Sequence, residues 1–140
     1  MAIKTFDPRK VFVTFAGKLL TGFMDGTAIA VSRNEDAFTL LVGSDGEASR
    51  TANANKSGTA VLTLKQTSAS NDVLSQQHAL DELSNTGSGA LQIKDASGRT
   101  LINAPDAWVK KWANVDLGKE ETGREWTIEC GRLDMFIGGN

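Results

Sequence analysis

The chain is predicted to be mainly β, with a single helix laid on the outside of a sheet, and three observations carry that expectation. Short segments rich in β-branched, aliphatic and aromatic residues recur between turns from Val11 onward. Glycine is abundant, at 14 residues against two prolines, which fits many tight turns and few rigid kinks. Only the stretch 70–85 has the composition and spacing of a good helix. At 140 residues the chain fits one domain, 1–140, and a domain of this size buries roughly two-thirds of its unfolded surface.

From Val11 to Val42 the segments "VFVTF", "KLLTGF", "AIAVS" and "FTLLV" read as strands. "AGK" between the first two predicts a hairpin connection in which Gly17 takes a positive φ, and "MDGT" at 24–27 predicts a second turn. In "TAVLTLKQ", Ala60, Leu62 and Leu64 alternate with Thr59, Thr63 and Lys65, the pattern of a strand with one buried and one polar face.

The helix is "SNDVLSQQHALDELSN", with Ser70 or Asn71 as its cap and Asp72 against the positive end of its dipole. Val73, Leu80 and Leu83 form its apolar stripe, with His78 on the exposed side, and "NTGSG" at 85–89 ends it. "ALQIKDASGRTLIN" is a hairpin turning at Asp95–Gly98. "PDAWVKKWANVDLGKEETG" reads as a turn of helix or as irregular, because Trp108 and Trp112 are four apart. In "REWTIECGRLDMFIGGN", Trp126, Ile128 and Cys130 alternate with polar residues, then Leu133, Met135 and Ile137 follow on the other parity. A bulge at Gly131 would bring both sets to one face. The predicted core therefore includes Leu62, Leu64, Trp126, Ile128 and Cys130.

A net charge of −2 with scattered basic residues argues against a protein whose business is gripping nucleic acid. No apolar run approaches the ~20 residues of a membrane span, and the charged start "MAIKTFDPRK" does not read as a secretory signal. One cysteine allows no intrachain disulfide. The single His78 and single Cys130 cannot build a zinc site; His78, the one imidazole available as a triad base, falls opposite the apolar stripe and reads as a surface residue, and Cys130 reads as a small buried hydrophobe. "SDGE" lacks the alternating acids of a calcium loop, and "GSGALQ" lacks the third glycine of a dinucleotide motif. The expectation is no catalytic residue, no cofactor, no metal and no enzyme.

The puzzle is "GSDGEASRTANANKSG", residues 43–58, a long polar segment between two strands. Loops of that length in a compact domain are usually functional or disordered. Its residues Ser44, Asp45, Glu47, Arg50, Asn53, Asn55 and Lys56 carry both signs of charge and hydrogen-bonding amides, the makings of an arm that orders against a neighbouring copy.

In order and extent, "DPRKVFVTFAG", "LLTGFMDGT", "NEDAF", "GSDGEASR", "SGTAVLTLKQTSASNDVLS", the "IKD" hairpin and above all "GREWTIECGRLDMFIGGN" resemble the small tail tube proteins of contractile-tailed bacteriophages. The resemblance covers nearly the whole chain. It implies a two-sheet β-sandwich or barrel with one flanking helix, assembling into hexameric rings that stack into a hollow tube. The implied partners are further copies of the chain, a tail sheath protein, baseplate and tail-terminator proteins, and a tape-measure protein in the lumen. Double-stranded DNA would pass through without specific binding, and no membrane insertion is implied. The implied location is the virion, with synthesis and assembly in the host bacterial cytoplasm. Residues 43–58 match the loop that bridges to the adjoining ring, and the flanking strands would turn Thr39, Thr59, Thr63 and Lys65 to the lumen. The alternative within the resemblance is the inner tube of a phage-derived contractile injection or secretion system, with protein cargo.

Overall fold

The computed structural model describes residues 3–139. A short 3-10 turn at Pro8–Lys10 leads into β1 (Val11–Phe15) and β2 (Lys18–Leu20). There follow β3 (Ile29–Arg33), β4 (Phe38–Val42), β5 (Ala48–Ala52), β6 (Gly58–Lys65), α1 (Ser70–Ser84), β7 (Gly89–Asp95), β8 (Leu101–Lys111), β9 (Gly123–Cys130) and β10 (Asp134–Phe136). Among the described residues the fold is mainly β, with two sheets and one α-helix, as expected from the sequence and its resemblance.

The larger sheet runs β2-β1-β7-β8-β9-β6-β3, with β10 also on β8, and its hydrogen-bonded neighbours are antiparallel. It curls because the chain leaving β2 crosses to its far side. Phe23 bridges Leu64, Lys65 N–H donates to the Gly22 carbonyl at 2.8 Å, and Met24 N–H donates to Thr63 at 3.0 Å. The result is a barrel closed beside the end of β6 and open between the start of β1 and the free edge of β3. Leu62, Leu64, Trp126, Ile128 and Cys130 all lie in its core, joined by Phe15, Leu91 and Leu133. The β1–β2 turn uses positive φ at both Ala16 and Gly17, the geometry that matches strand twist in a two-residue hairpin.

Five details depart from the sequence reading. The helix turns Ser70, Leu74 and His78 inward, leaving Leu83 86% exposed and Leu80 at the surface. Specific partners await that inward face: Ser70 Oγ accepts from Thr21 N–H at 2.7 Å, and His78 stacks edge-on against the Trp112 ring. Neither Ser70 nor Asn71 caps the helix; Ala69 occupies the cap position without a side-chain bond, while Asn71 Oδ1 accepts from Trp126 Nε1 at 2.9 Å. At the other end Asn85, not a glycine, takes the left-handed position.

The segment from Pro105 splits: to Lys111 it is strand, as part of β8, and 112–122 is irregular, one of the two readings the sequence allowed. A register shift between Val109 and Lys111 changes the parity, so Trp112 meets His78 and Trp126, while Trp108 lies opposite Glu129. At Gly131 the chain makes a fuller break than a bulge: β9 ends at Cys130 and β10 resumes on another part of β8. Leu133 and Met135 do return to the core side, but Ile137 is exposed.

Candidate assembly surfaces

The most unusual element is the hairpin β4–β5, in which every residue is exposed and whose strands, among the described residues, pair only with each other. Alternation sorts its side chains. Phe38, Leu40 and Val42 face Ala52, Arg50 and Ala48 across the ladder, so one side is apolar with one cation, and Arg50 lies 4.2 Å over the Phe38 ring. Thr39 and Leu41 face Thr51 and Ser49 on the other side. Phe38, Leu40, Leu41 and Val42 are 52%, 69%, 68% and 55% exposed.

The tip forms because Gly46 adopts a φ of 87° and Asp45 Oδ1 accepts from Glu47 N–H at 3.1 Å. The base is clamped. Asn53 N–H donates to the Ala37 carbonyl at 2.8 Å, and Glu35 Oε2 accepts from Asn53 Nδ2 at 2.9 Å and Asn55 Nδ2 at 3.0 Å. Those bonds, from Asn53 first and Asn55 second, hold the Glu35 carboxyl below its ordinary pKa. Beneath them, Asn34 Nδ2 donates to Glu129 Oε1 at 2.9 Å, and Thr59 Oγ1 donates to Asn34 Oδ1 at 2.8 Å. Leu133 closes the anchor: its carbonyl accepts from Arg33 and its N–H donates to the Lys56 carbonyl.

The seven residues assigned to the arm from sequence thus divide. Ser44, Asp45 and Glu47 form the tip and Arg50 lies on the apolar side, whereas Asn53, Asn55 and Lys56 belong to the anchor. Sequence reasoning missed Phe38, Leu40 and Val42, having placed "FTLLV" in the body. The available signal was Asp45-Gly46 midway between two short extended segments, a hairpin mark.

Thr59, Thr63 and Lys65 do share one face of β6, outside the core. The register brings Thr59 opposite Glu129 and Thr63 opposite Glu125, with Thr127 opposite Val61, so this sheet surface is polar and carries both signs of charge. Thr39 is not among them; it sits on the projecting hairpin.

His78 is 8% exposed, with Nε2 2.8 Å from Glu82, which also accepts from Trp112 Nε1 at 2.7 Å. The arrangement ties the helix to the end of β8. Cys130 is buried, and that burial, with Glu129 adding to it, pushes its thiol up to about 11. Among the described residues no three His, Cys, Asp or Glu side chains are grouped to hold a metal ion.

Residues 14–138 match the family described as bacteriophage PhiTE tail tube protein. Structural protein ORF10 of Pseudomonas phage KPP10 is 35% identical over 123 residues, covering 86% of this chain and 71% of that protein. Two solved structures are similar in fold. The tube-terminating cap of the anti-feeding prophage superposes with a TM-score of 0.60 at 11% identity, over 97% of this chain and 94% of that one. The sheath/tube terminator of the extracellular contractile injection system PVC, in its extended state, gives 0.58 at 11% identity, over 98% and 100%.

Proposed function

The chain belongs to the bacteriophage PhiTE tail tube protein family, and on that premise we propose that it is the repeating subunit of a hollow tail tube. Six copies close a ring, rings stack through the β4–β5 arm, and the bore passes double-stranded DNA into the host during ejection. The arm is the observation that carries this reading. A lone two-stranded hairpin is marginal in water, and this one displays an apolar side that β4 and β5 leave uncovered. Its free strand edges would invite irregular pairing unless a fixed neighbour occupies them.

The face carrying Thr59, Thr63 and Lys65 suits a lining. Glu125 and Glu129 offset Lys65, so a polyanion meets no basic stripe that would hold it by counterion release. Outside the tube the partners would be the sheath, baseplate and terminator proteins, and inside it the tape measure. The chain would be made and assembled in the host cytoplasm.

The test replaces residues 38–52 by a short Gly-Ser link, which suits the geometry because Ala37 and Asn53 are already hydrogen-bonded. Negative-stain microscopy of the concentrated parent should show tubes, and of the variant single rings. Stacking by the variant would remove the arm from its role. The similarity in fold to a component of a contractile injection system motivates a second reading, a tube for protein cargo. Particles purified with a DNA-filled capsid attached favour the phage reading; capsid-free contractile particles favour the other.

A further inference from the structure

The barrel's open mouth is a groove of about 820 Å³. Its apolar lining includes Val11, Phe23, Ile29 and Ile93, side chains that belong to or pack against the core, so the core shows through here. Phe6, well exposed, stands at its rim, and so does Asp25, for which no ion pair is found among the described residues. One wall is the segment 22–29, which leads into β3 at Ile29, and among the described residues β3's outer edge has no strand beside it.

The groove and the arm lie at opposite ends of β3. Ile29 lines the groove, whereas the arm begins beyond Arg33, which Leu133 pins in place. A strand of this length separates its ends by roughly 13 Å at ~3.3 Å per residue. A clamped hairpin leaving one end is poorly placed to reach back to the other, but a second copy stacked end to end presents its arm there. Contacts of this kind, between different patches on each copy, repeat without limit along one direction.

We infer that the mouth of the barrel is the receptor for the arm of the next copy, with Phe38, Leu40 and Val42 seated on Val11, Phe23 and Ile29. Chemistry supports the match. Both surfaces are apolar, the arm's apolar side carries the cation Arg50, and the groove lining carries the acids Asp25 and Asp95 beside Arg9, whose charge is already met by Asp7 at 3.0 Å. This rests on the reading of the arm as the connector between rings and adds where it goes.

The experiment pairs Leu40→Cys with Thr27→Cys, a groove residue exposed in the single chain. Cys130 is buried and does not compete. After concentration and a short bis-maleimide, the double variant should give a ladder of linked chains on a denaturing gel, and each single variant none. Tubes that form without a ladder overturn the receptor assignment while leaving the arm as connector. Leu40→Asp serves as the second arm of the test, because stacking by that variant would overturn the connector reading itself. Should the double cysteine variant fail to assemble, Thr27→Trp fills the mouth without touching the arm. It should leave rings that no longer stack, and tubes of normal length from it would likewise overturn the proposal.

Discussion

Strands β4 and β6 draw on similar residues and meet opposite fates. Both mix leucine, valine and threonine, yet β6 buries every second side chain while β4 buries none. β6 lies between β9 and β3 with the core beneath it; β4 has β5 and nothing else. Hydrophobic residues therefore do not by themselves make a core strand, because burial requires a second layer that the strand cannot supply. In β4 the same chemistry stays exposed, which is what its proposed role between copies rests on.

The contrast is broken most directly by matching truncations. Leu62→Ala, at a position with no exposure, should cost about 2–5 kcal/mol. Leu40→Ala should change the stability of the isolated subunit by no more than about 0.5 kcal/mol. Urea titration of dilute, unassembled protein reads both, and equal losses would mean that the arm packs on its own subunit. Next in size is Gly58→Ala, where an added Cβ would run into Leu133 and the Ser32 carbonyl at the arm's anchor. A cost of about 1–3 kcal/mol is expected in the same titration, as for other overpacked sites.

A smaller effect belongs to the tip. Gly46→Ala meets open space but carries a φ of 87°, so only backbone strain of about 1–2 kcal/mol opposes it. It should speed amide hydrogen exchange within β4 and β5 and leave the denaturation midpoint unmoved. The subtlest test is acid. Glu35 holds its proton less readily in the fold than its ordinary pKa of 4.5 predicts, because it accepts from Asn53 and Asn55. The linkage therefore favours the clamped base above 4.5 and is lost as pH falls through the lowered value. Protection of the Asn53 and Asn55 amides, measured against the intrinsic exchange rate at each pH, should fall as pH drops below 4.5, and Glu35→Ala should abolish that dependence.

Much of this was legible because strand alternation is local. Ala60, Leu62 and Leu64, like Trp126, Ile128 and Cys130, announce a buried face by spacing alone, and the register places those faces together. The Asp95–Gly98 turn was equally readable, with Asp95 Oδ1 accepting from Ser97 N–H at 3.0 Å and Gly98 N–H donating to the Asp95 carbonyl. The helix face was not, since Ser70 turns inward to the Thr21 N–H and His78 to the Trp112 ring, partners distant in sequence, against the hydrophobic count. The four-residue spacing of Trp108 and Trp112 suggested helix, but a bulge in a strand sends the two rings to different surroundings.

What the sequence determined alone was the alphabet of strands, the one helix, the inner residues of β6 and β9, and the presence of a segment near 43–58 with little reason to fold inward. Tertiary structure decided which apolar strand found a core, where the barrel closed and where it stayed open, and that the arm includes β4. The reason is physical: backbone conformation and side-chain parity follow from neighbours in the chain, whereas burial is a relation between surfaces that sequence order does not bring together.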